Sequence, residues 1–341
     1  MEKNVVIGID FSKLTLDVTF FNTNNPNEKH YQQFENTEEG CVKTIKWIKR
    51  AFKDCSDWLI CCEFTGLYSM TAAVAFNDRG IDLWLDNPRQ IKLSSGIHRE
   101  KSDKVDSEQI ALYAARFMDS VKLYKPQGKV LLKVRELVRY KDRLTKIKSQ
   151  LMVPAKELKR VRKNWEESSY VYDESKEISE NLDLKIKEIE RKMLFLLTSD
   201  PDLKRLYKLI NTVVGVGMLT AIYLLIHTWG VTSFDNPRQL ACYCGIVPFS
   251  KRSGTSVKGK AQVSHIANKK LKTLLHMCAL NAIKYDPLIK AYYERKTQEG
   301  KHKMNVLNNV KNKLTHRFFT VVSTGQEYDK YYHLNLVNRE I

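Results

Sequence analysis

The sequence predicts an α/β N-terminal domain, a helical arm and a mainly α C-terminal unit. Three observations carry this. Apolar runs that end in acids alternate with amphipathic segments over the first 125 residues. Two long, highly charged amphipathic segments follow, to about residue 200. An apolar helical region then leads into a stretch dense in Lys, Arg, Ser and Gly. The boundaries are drawn at 1–125, 126–200 and 201–298, with a C-terminal tail at 299–341.

The run Val5–Asp10 (VVIGID) reads as a first strand, with Gly8 allowing close packing. Leu14–Phe21 alternates and is β-branched, so it pairs with the first strand through the short FSK turn. Lys29–Phe34 is a candidate third strand. NTEEGCVKTIKWIKRAF opens on a capping-type Asn36 or Thr37 and continues with apolar residues at helical spacing. Asp57–Glu63 is a buried strand, Thr65–Arg79 a helix, and Gly80–Asp86 a fifth strand closed by Asn87-Pro88. A hairpin meander followed by strands alternating with helices is the order of a ribonuclease H-like (RuvC-like) fold. By analogy with that fold, the first and fourth strands are neighbours, which places Asp10 beside Glu63.

KVLLKVRELVRYKDRLTKIKSQLMV and LDLKIKEIERKMLFLL carry apolar residues at i, i+3, i+4 and i+7. They predict two helices, broken around Pro154 and the polar stretch NWEESSYVYDES, that form an antiparallel hairpin or coiled coil. LINTVVGVGMLTAIYLLIHTWG resembles a helix-hairpin-helix, with the GVG turn at Gly215–Gly217 offering backbone N–H groups to a phosphate. An ordinary helix–turn–helix connection explains it equally well. The tail, rich in Lys, Asn and Tyr, carries no functional signal.

The formal net charge is +18, and 43% of residues are hydrophobic. Cores are affordable at that composition, so the charge predicts a polyanionic partner, nucleic acid ahead of a membrane surface. No apolar run approaches the ~20 residues of a spanning helix, and the N-terminus enters a strand without a signal peptide. Seven cysteines, mostly within apolar runs, read as reduced core thiols of a cytoplasmic protein. Cys242 and Cys244 are too close, and too alone, for a zinc site.

Four carboxylates suggest chemistry. Asp10 and Glu63 end buried strands, where an unpaired acid is costly. Asp103 and Asp106, spaced i and i+3, share one helical face. Clustered acids suit oxygen-seeking cations such as Mg²⁺. Singly, each acid has an ordinary reading: a turn cap, an ion pair with Arg, an exposed helix face. Asp17, Asp82 and Asp86 rank lower, as residues of outer faces or of strand ends away from the first strand.

Between Asp235 and Asp286 there is no Asp or Glu. That window cannot build a carboxylate metal site but can surround a phosphate. Lys251, Arg252, Gly254, Ser256, Lys258, Lys260, Lys269 and Lys270 are its candidate nucleic-acid contacts. Ser253 is either a phosphate-binding hydroxyl or a nucleophile, the latter needing activation by a base or metal. His265 either assists or is a structural hydrogen-bonder.

IGIDFSK, CCEFTGLYS, REKSDKVDSEQIALYA, GVGMLTAIYLL and GIVPFSKRSGTSVKGKAQVSHIANKKLKTLL, in this order, resemble the DEDD transposases. That family includes Piv-like site-specific DNA invertases and bridge-RNA-guided recombinases of insertion sequences. The resemblance runs from about residue 4 to 285. It implies a RuvC-like domain, a coiled-coil linker and a C-terminal transposase domain. It also implies that Asp10, Glu63, Asp103 and Asp106 hold Mg²⁺, with Mn²⁺ as substitute. Ser253, with Ser256 as runner-up, would form a covalent DNA intermediate. The implied partners are donor and target DNA, a structured guide RNA, and further copies of the chain in a dimer or tetramer that brings metal and serine together. One departure is Ser102, where the family usually shows Thr. The rival readings are a RuvC-like Holliday junction endonuclease using water, a Piv-like invertase without guide RNA, and a non-catalytic nucleic-acid-binding module.

Overall fold

Strand parity sets the layout of the N-terminal unit. In β1 (Val5–Phe11), Val5, Ile7 and Ile9 enter one apolar cluster while Val6 enters another, because successive strand residues face opposite sides. β2 (Thr15–Asn22) pairs antiparallel with β1, and β3 (Asn25–Glu35) antiparallel with β2. β4 (Trp58–Glu63) and β5 (Leu83–Asp86) extend the other side in parallel, giving the order β3-β2-β1-β4-β5. This is the mixed sheet expected from the sequence, with the first and fourth strands adjacent.

The computed structural model describes residues 3–64, 66–96, 102–125, 128–230, 233–253 and 257–331, with the backbone alone at 67, 71, 251–253, 257, 258 and 260. It comprises two units, Met1–Pro126 and Gln127–Ile341.

Two helices cover one face of the sheet, α1 (Glu38–Ala51) and α2 (Leu67–Asn77), through Cys41, Ile45, Ile48, Ala72 and Phe76. Thr37 caps α1 by accepting the Gly40 N–H, and Glu38 and Glu39 in the first turn complement the helix dipole. After β5 comes α3 (Pro88–Ser94), a short helix absent from the sequence reading; Asn87 caps it and Pro88 starts it. The other face takes α4 (Asp103–Arg116), through Ile110, Ala111 and Ala114. There the helix lies directly on β1. A Cβ on Gly8 would stand 2.2 Å from the Ser107 carbonyl oxygen and 2.3 Å from the Ala111 nitrogen. A buried hydroxyl pair, Thr19 with Ser107 at 2.7 Å, fixes the same contact from β2.

The second unit starts with α5 (Lys129–Val161) and α6 (Glu166–Thr198). Ion pairs Lys141–Glu190 (3.4 Å) and Lys159–Asp173 (3.6 Å) run in opposite senses along the two helices, so the pair is antiparallel. The chain reverses at 162–165, and α5 continues through Pro154, where the sequence reading placed a break. The ring of Pro154 is exposed, so the one backbone bond it removes is on the solvent side, while Ala155 beside it is buried. Most of the polar stretch after it is the start of α6.

Leu131, Val134 and Val138 of α5 and Met193 and Leu197 of α6 share one apolar cluster with the rest of this unit. Its other helices are α7 (Pro201–Thr212), α8 (Met218–His227), α9 (Pro237–Tyr243), α10 (Lys269–Tyr285), α11 (Pro287–Gln298) and α12 (Lys303–Thr324). Gly215, at φ +94° between α7 and α8, lets that turn touch α10: a Cβ would lie 2.5 Å from the Cys278 carbonyl oxygen. The tail region therefore holds a core helix, α12, whose Leu307, Val310, Leu314 and Phe318 complete the cluster. Buried Asp286 caps α11 through the Leu288 and Ile289 N–H groups and accepts from Arg317 (2.6 Å) and Tyr328 (2.9 Å). Between α9 and α10, β6 (Pro248–Ser253) and β7 (Val257–Val263) form an antiparallel hairpin.

Gly8→Ala is expected to destabilise the N-terminal unit by about 3 kcal/mol, the upper end of the usual overpacking cost, because the clash is with helix backbone rather than a movable side chain. Trp84, stacked near Tyr113 of α4 at 5.0 Å, reports helix docking. Urea unfolding followed by tryptophan fluorescence checks this; an unchanged midpoint would show that α4 does not rest on Gly8.

Candidate active site

Parity decides where the acids point. Asp10 follows Gly8 by two residues on β1, and Glu63 follows Leu59 and Cys61, which belong to the apolar cluster under α4. Both acids therefore belong to the α4 face, on neighbouring parallel strands. Ser102 caps α4, its hydroxyl accepting the Val105 N–H at 3.3 Å, so Asp103 and Asp106 fall in the first helical turn. The departure from Thr to Ser at 102 leaves this cap intact.

The contact at Gly8 then brings the groups together. One carboxylate oxygen from each of Asp10, Asp103 and Asp106 lies within 4.8 Å of the others. Burial, then the charges of Glu63, Asp106 and Asp103, push Asp10 up to about 6. Glu63 is raised as well, by burial and by Asp106, with Lys92 of α3 working in the opposite direction. Glu63 is thus beside the trio rather than within it. The donor set is oxygen only and mutually repulsive, which fits a hard divalent cation and not a thiolate- or imidazole-bound one.

Three neighbours stand near the acids: Asp17 and Asp86, which the sequence reading ranked lower, and Lys92, which it did not single out. Asp17 is not on an outer face: it is 1% exposed and directly opposite Asp10 in register. Residues 17, 19 and 21 share the face that α4 covers, and Asp17 is satisfied there by Tyr31 (2.6 Å) and Gln33 (3.0 Å) of β3. The alternating polar residues of β3 were the available signal. Asp86 is level with Glu63 and accepts the Tyr113 hydroxyl (2.6 Å) and the Asn87 N–H (2.7 Å). Lys92 was hidden because α3 was.

The basic window lies in the other unit. Ser253 ends β6, opposite Val257; Lys251 is opposite Gly259 and Arg252 opposite Lys258. Lys260 is on β7, while Gly254 and Ser256 lie outside the described residues. His265 and Lys269 are exposed at the approach to α10. Lys270 is already committed, to Asp142 at 2.9 Å and to the face of the Tyr223 ring. Beside it, His227 is pulled down to about 4 by burial and by Arg135. His227 Nδ1 also has Asn268 Nδ2 at 3.2 Å and the Tyr243 hydroxyl at 3.3 Å.

A carboxylate cluster on a mixed sheet, in a chain with a strong excess of cations, is suited to metal-assisted chemistry on a polyanion. A model described as a transposase of the DEDD, IS110 type matches residues 7–156, and a model of the transposase IS116/IS110/IS902 family matches 207–294. The chain belongs to this family of IS110-type DEDD transposases. It is 25% identical over 337 residues to the pilin gene-inverting proteins of Moraxella lacunata and Moraxella bovis, covering 96% of this chain and 98% of each relative. It is 29% identical over 141 residues to an insertion element IS110 protein of Streptomyces coelicolor, covering 41% of this chain and 34% of that protein. Among solved structures, T. thermophilus RuvC in complex with a Holliday junction substrate is similar at a TM-score of 0.27 and 15% identity, covering 35% of this chain and 99% of that one.

A raised Asp10 pKa means the folded chain holds this proton more tightly than the unfolded chain does. The penalty is absent below about pH 4 and complete above about pH 6, so metal-free stability falls as pH rises through that window. Asp10→Asn should therefore stabilise the metal-free protein at pH 7.5 by on the order of 1–2 kcal/mol, discounted for partial exposure, and do little at pH 4. Thermal melts at both pH values check this, and Mn²⁺ should raise the midpoint of the wild type alone. Equal midpoints without metal would contradict the repulsion.

Proposed function

We propose that this protein is the DNA transposase of an insertion sequence, cleaving and rejoining DNA through a covalent bond to Ser253. The observation that carries the reading is the meeting of Asp10, Asp103 and Asp106 at the end of β1, with Glu63 beside them. These residues would hold Mg²⁺, or Mn²⁺ in its place. The bound ion supplies stabilisation of the charge that develops on the reacting phosphate.

The steps belong to the protein and the DNA. The Ser253 Oγ attacks a backbone phosphorus; the Oγ–P bond forms as the bond from phosphorus to one DNA oxygen breaks. The serine proton goes to solvent or a base, and the released DNA oxygen takes up a proton. Rejoining is the reverse, with a DNA hydroxyl attacking the phosphoserine ester and the serine recovering its proton. One phosphoester replaces another throughout, so no ATP is consumed. Lys251, Arg252, Lys258, Lys260 and Lys269, with Gly254 and Ser256, would hold the backbone. Lys270 would add less, because Asp142 neutralises it.

The acids and Ser253 belong to different units, which supports assembly of the site by a dimer or tetramer. The arm offers a surface for this: Val153, Trp165, Tyr170, Ile178 and Leu184 are exposed along α5, α6 and their connection. The excess of cations supports a structured guide RNA in addition to donor and target DNA. A second reading, inversion of a DNA segment without guide RNA, is favoured by the full-length similarity to the pilin gene-inverting proteins.

Ser253→Ala is expected to abolish the covalent protein–DNA adduct, at least a hundredfold on a denaturing gel, while leaving DNA affinity within about threefold. Ser256→Ala should keep the adduct. Cleavage by Ser253→Ala that yields free ends would point instead to a water nucleophile and a junction endonuclease.

A further inference from the structure

Both legs of the β6–β7 hairpin are gripped at their base. On the entering leg, the Ile246 carbonyl oxygen accepts from Asn308 Nδ2 of α12 at 2.6 Å. Next to it, a Cβ on Gly245 would lie 3.4 Å from the Ser264 carbonyl oxygen, on the leaving leg, and 3.7 Å from Lys272 Nζ of α10. The Lys272 amine therefore reaches the crossing of the two legs. Lys311 follows Asn308 by three residues on the same side of α12, is only 6% exposed, and has Lys272 as the charge that acts on it.

Neither lysine has a carboxylate partner among the described residues. The sequence explains why. Lys272 comes from the acid-free window between Asp235 and Asp286, and Lys311 from a second one, with no Asp or Glu between Glu299 and Glu327. Burial of the Lys311 stem disfavours the charged amine, and the second cation beside it adds to that cost. An anion between the two would remove both terms.

We propose that Lys272 and Lys311 form an anion site that takes a phosphate of the nucleic-acid backbone where it passes the base of the Ser253 hairpin. The inference rests on the reading of the protein as DNA-acting. It gives α12, which lies beyond the family match, a part in substrate binding.

The test is binding of a labelled DNA duplex to the full-length protein across a series of KCl concentrations. Lys272→Met, Lys311→Met and the double variant are compared with Lys49→Met, which removes one exposed charge from the N-terminal unit. Methionine keeps the apolar stem and removes an unpaired charge, so the variants should fold, with melting midpoints at or above wild type. The slope of log K against log salt is expected to become shallower by about 0.9 for the pair, which shares one phosphate, by up to that amount for each single variant, and to change little for Lys49→Met. Slopes equal to wild type in all variants would overturn the proposal and leave Lys311 as a buried stem with a solvated tip. An unchanged slope with loss of stabilisation by inorganic phosphate would also overturn it, placing a free anion there. Absence of salt-dependent binding by the wild type would overturn the DNA-acting reading itself.

Discussion

The missing side chain at Gly8 is the constraint on which the acidic site depends. With no Cβ in the way, α4 settles its Ser107–Ala111 backbone against β1, closer than any other residue would allow. Everything needed for the carboxylate cluster follows from that approach. Asp10 is two residues on along the same strand face, and Asp103 and Asp106 are within one turn before Ser107. The Thr19–Ser107 hydroxyl pair and the apolar contacts of Ile110 and Ala114 fix the helix along and across the sheet. A helix held a few ångströms further out would leave the same acids as separate, solvated groups. The sheet contributes the other half, since parallel pairing of β1 with β4 places Glu63 beside Asp10 on the covered face.

Much of this was legible in the sequence, for physical reasons that also mark where legibility ended. Period-two alternation and buried apolar runs locate β1, β2 and β4, and i, i+3 spacing locates the pair on α4. Asp17 was misplaced because alternation says which residues share a face but not which face a helix will cover. The helix α3 was missed because Asn87-Pro88 signals both a turn and a helix start, and seven residues show too little periodicity to decide. Pro154 was read as a break, yet its ring falls on the exposed side of a long helix whose other side is packed. In α12 the apolar residues recur at helical spacing, but Asn, Lys and His between them dilute the signal below that of an ordinary core helix. For Ser253 the fold adds a place, at the end of β6 opposite Val257, to an assignment that came from its motif.

The same electrostatic logic runs through both units with opposite sign. In the first, burial and like charge raise Asp10 and Glu63, so the folded chain carries a repulsion that a divalent cation would relieve. In the second, Lys311 is held among apolar helices beside Lys272, a repulsion that an anion would relieve. The neighbouring charges differ. Asp17 is satisfied by Tyr31 and Gln33, Asp286 by Arg317 and Tyr328, and Lys270 by Asp142. These paired groups hold the fold; the unpaired ones cost stability and contribute nothing to packing that an apolar side chain would not. Metal and phosphate are the two components that meet in phosphodiester chemistry, and each unit carries a like-charge contact of the sign that one of them would relieve. Binding of DNA and metal should accordingly tighten both units, and the repulsion built into the unliganded chain is the thermodynamic source of that coupling.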